Sequence, residues 1–236
     1  LHYPLRRQRQ MCIRDRLKYE YFLDDLEFKI GNDIIFWGVN ETFNVVDIIN
    51  QSNLAEELAE TKKLGQTMAS LSYSHDYGKF DIYLMSNFQE RSFSGKIGRP
   101  RLAMEIDKNT VTYESSAKDK KVDFAIRYST VLDDLDIGLS HFYGNNRTPE
   151  LKPNSSTLKF DPFYPILSQT GLDIQSTKGS WLYKLESISA KNGNERHLSA
   201  AGGIEYTFYG IQNTQSDLGI IIEYIFDDRN NLSLIH

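Results

Sequence analysis

Apolar and polar residues alternate along most of this chain in stretches of about ten residues, which is the period of a β-strand with two different faces. These stretches come in pairs that close on very short connections, such as Asp24-Asp25 and Lys178-Gly179. The paired stretches are 17–23/26–37, 66–75/79–86, 121–131/135–144, 166–177/180–191 and 198–209/217–227. The pattern predicts an all-β fold, an antiparallel meander of about ten long strands joined by hairpins.

The two faces of these stretches differ in chemistry. In 121–131 one face is apolar and aromatic, whereas the other carries small and charged residues, Asp123 and Arg127 among them. Long strands with short turns at one end and long loops at the other are typical of a transmembrane β-barrel. A soluble β-sandwich also alternates, but its strands usually have about five or six residues. We therefore expect part of a transmembrane β-barrel, with the charged face toward a wet interior.

Longer polar segments separate the hairpins and are expected to be loops at one end of the barrel. They are 38–65, 87–120, 145–165 and 192–197. The stretch 44–60 includes the one helix-like pattern, with Ser52 or Asn53 as its N-cap. The prolines of 145–165 are typical of irregular loops.

Both ends of the chain differ from its body. Arginines crowd the aperiodic stretch 1–16, and the strings 11–16 and 232–236 resemble translated sequencing-adapter read-through in assembled environmental DNA. We therefore interpret 1–16 and 232–236 as non-native flanks and 17–231 as the barrel fragment, with further strands and a signal peptide missing. The alternative for the first flank is a basic arm that binds nucleic acid or lipid headgroups.

The composition is compatible with this interpretation. Asp and Glu outnumber Lys and Arg by 32 to 27, and removing the first flank makes the body more acidic still. An acidic body argues against nucleic acid as a partner. The only cysteine, Cys12, lies in the flank, so the body has no disulfide or thiolate metal site. A mean hydropathy of −0.47 fits a barrel, because only every second strand residue faces lipid.

One part of the chain resembles a known family. The segment 29–38 has the pattern K-x-G-x-x-x-x-x-W-G, and 45–50 has the pattern V-x-D-x-I-N. Both resemble a porin-like outer-membrane family of unknown function, and 169–173 and 181–186 look similar to it too. The resemblance implies an outer-membrane β-barrel of a Gram-negative bacterium, with membrane lipid and small solutes as partners and no catalytic residues. Porins are often trimers, so a homo-oligomer is compatible with it.

Charged residues on the predicted inner face are the candidate pore lining. They are Glu27, Lys29, Asp123, Arg127, Asp173, Lys184, Glu186, Glu205 and Glu223. Charges of both signs across a pore create a transverse field that selects among solutes. Alternatively, opposed charges on neighbouring strands pair with each other and only stiffen the wall.

A second group of candidates lies in the loops, where a segment folded inward, such as 38–65, would narrow the pore. These constriction candidates are Arg91, Arg99, Arg101, Asp47 and Asn50. The alternative for the arginines is a solvated surface. The alternative for Asp47 and Asn50 is that they only cap a short helix.

The sequence gives little support to covalent chemistry. His75, His141 and His197 lie on separate hairpins, and no metal-ligand or phosphate-loop spacing occurs, so we predict no enzyme activity, metal or cofactor. Ser140 and His141 are adjacent, and adjacent strand residues point to opposite faces.

The function expected from the sequence is a porin-like channel fragment for passive passage of small solutes. The first alternative is a non-conducting outer-membrane barrel with a structural or surface-recognition role. Two further alternatives are a membrane-embedded hydrolase and a soluble β-sandwich binding module.

Overall fold

A computed structural model describes residues 16–53, 62–93, 104–211 and 214–229. In these ranges the chain forms β-strands and a short 3₁₀ turn at Lys118–Lys120. No helix in this part of the chain is long and apolar enough to cross a membrane. The strands, in chain order, are β1 Lys18–Leu23, β2 Leu26–Asp33, β3 Ser52–Asn53, β4 Lys62–Lys63, β5 Gln66–His75, β6 Gly78–Met85, β7 Glu105–Ile106, β8 Thr112–Tyr113, β9 Asp123–Leu132, β10 Leu135–Asn145, β11 Glu150–Asn154, β12 Lys159–Tyr164, β13 Ile166–Lys178, β14 Trp181–Asn192, β15 Glu195–Phe208 and β16 Leu218–Asp227.

Ten of these strands form one antiparallel sheet in the order β1-β2-β5-β6-β9-β10-β13-β14-β15-β16. Because the long strands pair in their order along the chain, the sheet is a meander. β1 and β16 are its two edges and do not pair with each other, so the sheet is open. The prediction of an all-β meander of about ten long strands is confirmed, and the open sheet is consistent with an incomplete barrel.

The connections at one end of the large sheet form smaller sheets of their own. β12 pairs with β11 in the antiparallel sense and with β7 and β8 in the parallel sense, while β3 pairs with β4. The prediction of a purely irregular loop at 145–165 is therefore wrong. Its Pro153 lies in β11, an edge strand, where the missing backbone N–H is tolerated.

Two strand boundaries also differ from the prediction. β2 ends at Asp33 rather than at residue 37, because the chain leaves the sheet there and packs on its face. The segment 192–197 is a hairpin rather than a longer loop, since β14 and β15 close on Gly193-Asn194. Gly193 has a φ of +58°, a left-handed conformation that glycine adopts without strain.

The helix expected within 44–60, with Ser52 or Asn53 as its N-cap, would run into residues that lie outside the described part of the chain. The described residues 44–53 contain no helix, and Ser52 and Asn53 form the short strand β3. Residues 54–61 lie outside the described residues, as do 1–15 and 232–236, on which the interpretation of the flanks depends.

The two faces of the ten-stranded sheet carry opposite kinds of side chain. We call the face covered by residues 34–53 the inner face and the opposite one the outer face. The outer face exposes large apolar side chains, including Leu139, Leu185 and Ile222. All twelve Asp and Glu residues of the ten strands lie on the inner face: Glu20, Glu27, Asp33, Asp81, Asp123, Asp136, Asp173, Glu186, Glu195, Glu205, Glu223 and Asp227.

The cations of these strands are divided between the two faces. Five of the eight lie on the inner face, namely Lys18, Lys29, Lys79, Arg127 and Lys184. The other three, Lys178, Lys191 and Arg196, lie on the outer face at strand ends. The outer face is therefore apolar and exposed, whereas the inner face carries the carboxylates of the ten strands beside buried side chains that pack on residues 34–53.

Candidate functional site

Residues 34–53, which we call the inward segment, lie across the inner face from β2 to β16. Trp37, Val46 and Ile49 from this segment are buried against side chains of the sheet such as Met85 and Phe142. The Trp37 ring meets the Tyr83 ring edge to face, with centroids 5.9 Å apart, and the Arg127 guanidinium lies 5.5 Å from its centroid. The apolar core of the molecule is therefore formed between the inward segment and the inner face.

The first anchor of the inward segment is Asn50, which is almost fully buried. Its Nδ2 donates to the carbonyl oxygens of Asp33 at 2.9 Å and Leu64 at 2.8 Å, and its Oδ1 accepts from the Ile35 N–H at 2.8 Å. The amide thus ties the start of the segment to its end. Because residues 44–53 contain no helix, the interpretation of Asn50 as a helix cap is wrong.

Asp47 lies beside this anchor. Its carboxylate is 3.0 Å from Lys63 Nζ and accepts a long hydrogen bond, 3.5 Å, from the Trp37 N–H. Burial raises the pKa of Asp47 above its ordinary value, and the nearby Lys63 ammonium opposes that rise. Asp47, like Asn50, holds the segment in place and does not cap a helix.

The second anchor is Arg147, which is not among the residues predicted from the sequence. Its Nε donates to the Ile49 carbonyl at 3.0 Å, and its Nη1 lies 2.6 Å from Asp123 Oδ2. The rings of Phe88 and Phe142 flank the guanidinium, with centroids at 5.2 and 4.9 Å. A buried cation of this kind is stable because a carboxylate, a carbonyl and two aromatic faces replace its water.

The third anchor is Glu186, which has no solvent exposure. Its Oε1 accepts from the Val39 N–H at 2.7 Å and from the Asn40 N–H at 3.0 Å, and its Oε2 accepts from the Val46 N–H at 3.3 Å. One carboxylate on β14 therefore binds three backbone N–H groups of the inward segment. Such charge-assisted bonds are roughly twice as strong as neutral ones.

The fourth anchor is Glu223 on β16. Its two oxygens accept from the Glu41 N–H at 2.7 Å and the Thr42 N–H at 2.9 Å. The side chain of Glu41 in turn lies 2.6 Å from Lys184 Nζ, which is 3.7 Å from Glu205. Four successive backbone N–H groups, those of residues 39–42, thus bind two carboxylates from different strands.

Ion pairs also lie within the wall itself. Arg127 and Asp173 form a bidentate pair, with both N–O distances at 2.7 Å. The pair bridges over Gly138 on the intervening strand, where an added Cβ would lie 2.2 Å from Arg127 Nη2 and 2.4 Å from Asp173 Oδ2. Glu27 and Lys29, both on β2 next to the edge strand β1, pair at 2.9 Å.

All nine residues selected as pore lining lie on the inner face, and each has a charged or backbone partner among the described residues. Glu186 and Glu223 bind backbone N–H groups of the inward segment, and Lys184 pairs with its Glu41. Asp123 pairs with Arg147, which in turn binds the Ile49 carbonyl. Pairing of opposed charges is therefore seen in the wall, and a field that selects solutes stays a prediction. Some charges pair within the wall, and others hold the segment that covers it.

The constriction candidates are only partly described. The Arg91 N–H donates to the Tyr164 hydroxyl at 2.8 Å, and its Nε donates to Gln51 Oε1 at 3.3 Å, so it links the inward segment to the β12 sheet. Burial lowers the pKa of Arg91. The interpretation of Arg91 as fully solvated surface is thereby excluded. Arg99 and Arg101 lie outside the described residues.

A groove of about 490 Å³ remains open on the inner face near the short turns. It runs from Gly38 and Val39 of the inward segment to the turn ends of β5, β6, β9 and β10. Its charged lining includes Lys79, Arg127 and Asp136. The groove has the volume of a small-molecule site, but it is open along its length.

The structure does not bring a hydrolytic set together at His141. Ser140 is buried on the inner face, whereas His141 lies on the outer face with Nδ1 2.9 Å from Thr170 Oγ1. Within the described ranges, no group of three or more His, Cys, Asp and Glu residues is arranged to hold a metal ion.

Comparisons of the chain with protein-family models, with curated proteins and with solved structures found no match. The resemblance to porin-like proteins therefore stays a prediction from the sequence.

Proposed function

We propose that the chain forms part of an outer-membrane β-barrel that passes small solutes by diffusion, with a bore narrowed by the inward segment. The observation that carries this proposal is the division of the sheet into two faces. Twelve carboxylates on one face and none on the other suit a wall between water and lipid, because a carboxylate in hydrocarbon is costly.

Aromatic residues on the outer face support a membrane location. At the turn end of the sheet Trp181 packs on Tyr206 with centroids 4.5 Å apart, and Tyr206 packs on Phe208 at 4.6 Å. Phe80 and Tyr128 form a similar contact at 4.6 Å. Rings of this type form the girdle at the interface between headgroups and hydrocarbon in outer-membrane barrels.

The charge of the inner face supports a preference for cations. The ten strands place twelve carboxylates against five cations on this face. A surplus of one sign along a narrow water path raises the local concentration of the opposite ion. The groove beside Arg127 and Asp136 is an opening on this face.

A second candidate function is a non-conducting barrel with a structural role. The observation in its favour is that all nine selected charges are engaged, several of them in holding the inward segment across the face. A lumen filled in this way needs no continuous water path.

Planar-bilayer recording on the full chain separates the two candidates. Single-channel steps with a reversal potential of cationic sign in a KCl gradient are expected for the channel. Insertion into the bilayer without steps would favour the structural barrel. Failure to enter the bilayer at all would overturn both.

A further inference from the structure

The ten strands place three cations on the outer face, and two of them face each other. Lys191 on β14 and Arg196 on β15 are directly opposite in the register of the hairpin that closes on Gly193-Asn194. Lys178 is alone at the other end of the face, at the end of β13. Like charges directly opposite on an antiparallel pair repel each other, so the placement of Lys191 and Arg196 costs stability unless an anion lies between them.

No described part of the chain supplies that anion. No carboxylate of the described residues lies within 4.0 Å of either cation in an ion pair. Glu195 is adjacent to Arg196 in sequence but belongs to the inner face. Every other carboxylate of the ten strands is on that inner face as well.

The surroundings of the two cations are hydroxyl groups. Arg196 Nη1 is 3.3 Å from Ser189 Oγ, which steadies the guanidinium on the outer face. Ser168 is opposite Lys191 on β13. A guanidinium, an ammonium and neighbouring hydroxyls with no acid among them are the chemistry that binds a phosphate.

We propose that Lys191 and Arg196 bind the phosphate of an anionic membrane lipid at the loop end of the sheet. The inference rests on the proposed membrane location. It commits to a lipid rather than to free phosphate because Leu198, 48% exposed, lies on the same face directly below the cations and offers a surface for acyl chains. Free phosphate gains nothing from that apolar surface.

The test is native mass spectrometry of the folded full chain released from vesicles that contain equal amounts of phosphatidylglycerol and phosphatidylcholine with the same acyl chains. We expect wild-type protein to retain phosphatidylglycerol in preference, on the order of tenfold, because two basic side chains meet one phosphate. The double variant K191Q/R196Q should lose the preference. K178Q, which removes the isolated cation of the same face, should keep it.

Three outcomes would overturn the site. One is a double variant that still prefers phosphatidylglycerol, and another is a K178Q variant that loses the preference equally. The third is displacement of the retained lipid by millimolar inorganic phosphate, which would mean a free-anion site. A protein that enters the vesicles without any lipid preference refutes only this site. A protein that stays outside the vesicles refutes the proposed membrane function together with it.

Discussion

Glu186 should contribute more than any other single inner-face carboxylate to holding the inward segment. It is fully buried and accepts three backbone N–H bonds, from Val39, Asn40 and Val46. In Glu186→Gln an amide oxygen can still accept from Val39 and Asn40, but the amide NH₂ then faces the Val46 N–H.

The size of the effect follows from these bonds. Losing charge assistance on two bonds and leaving one buried N–H unsatisfied costs about 2–4 kcal/mol of docking free energy, by which we mean the free energy that holds the inward segment on the inner face. A loss of this size lowers the docking equilibrium constant roughly 30- to 700-fold. Asp173 lies opposite Glu186 on β13 and carries the same charge. Removing the charge of Glu186 therefore also removes their repulsion, which offsets a small part of the cost.

Trp37 offers a direct assay. The chain has two tryptophans, Trp37 buried in the inward segment and Trp181 exposed on the outer face. In a Trp181→Phe background the emission reports on Trp37 alone, and acrylamide quenching measures its exposure as urea is raised. In Glu186→Gln we expect Trp37 to become exposed at a lower urea concentration than in the protein with Glu186.

Glu205→Gln is the matched control for this experiment. Glu205 is also on the inner face, but it lies 3.7 Å from Lys184 and binds no N–H of the inward segment. Glu205→Gln should lower the docking free energy by less than about 1 kcal/mol, as expected for the loss of a partly exposed ion pair. The reasoning is refuted if both variants expose Trp37 at the same urea concentration.

Three further predictions address the wall and its pH response. Ile222→Lys on the outer face should cost about 2–4 kcal/mol of stability in a bilayer, whereas Ile225→Lys on the inner face of the same strand should cost much less, as measured by urea unfolding from vesicles. Gly138→Ala should destabilise the sheet by about 1–3 kcal/mol in the same assay, because its Cβ occupies the space of the ion pair that crosses it. Asp47 has a raised pKa, so the docked state binds its proton at higher pH than the undocked state, and docking should strengthen as pH falls from neutral through that pKa. Asp47→Asn should weaken this dependence when Trp37 quenching is followed against pH.

Each of these predictions has a result that contradicts it. Equal losses for the two isoleucine variants would mean that the faces do not differ in solvent. If Gly138→Ala leaves the free energy of unfolding unchanged, the ion pair does not pass over that residue. A pH response that persists unchanged in Asp47→Asn would assign it to another group.

Local pattern was enough to predict the strands and their faces. The period of two places Asp123 and Arg127 on one face of β9 whatever the rest of the chain does, and each short turn fixes the register of its hairpin. Where the pattern weakened, the prediction failed. The tip of the β14–β15 hairpin pairs polar residues with polar residues, so 192–197 lacked the alternation that marks a strand.

The inward segment was harder to predict because its contacts are distant in sequence. Glu186 binds the Val39 N–H across 147 residues, and nothing local marks that carboxylate as different from its neighbours. Arg147 was missed for a similar reason, since its position in a proline-rich stretch indicated a loop. The path of the segment from Asn44 to Asn53 likewise depends on contacts outside it, since the Asn50 amide donates to the carbonyl oxygens of Asp33 and Leu64.

The charges of the inner face have two roles. Carboxylates that bind backbone N–H groups keep the inward segment across the face, and the remaining surplus sets the electrostatic character of the groove. Loosening an anchor is therefore expected to widen the bore and to change its charge together. Recordings on Glu186→Gln in planar bilayers would show both effects in one experiment.

The most direct test of the membrane assignment is gel migration of the full chain from an outer-membrane fraction, with and without boiling. A closed or assembled β-barrel resists the detergent until it is heated, so we predict a membrane-bound band whose mobility shifts on boiling. A protein found in the aqueous fraction, with one mobility in both lanes, would contradict the assignment of the apolar outer face to lipid.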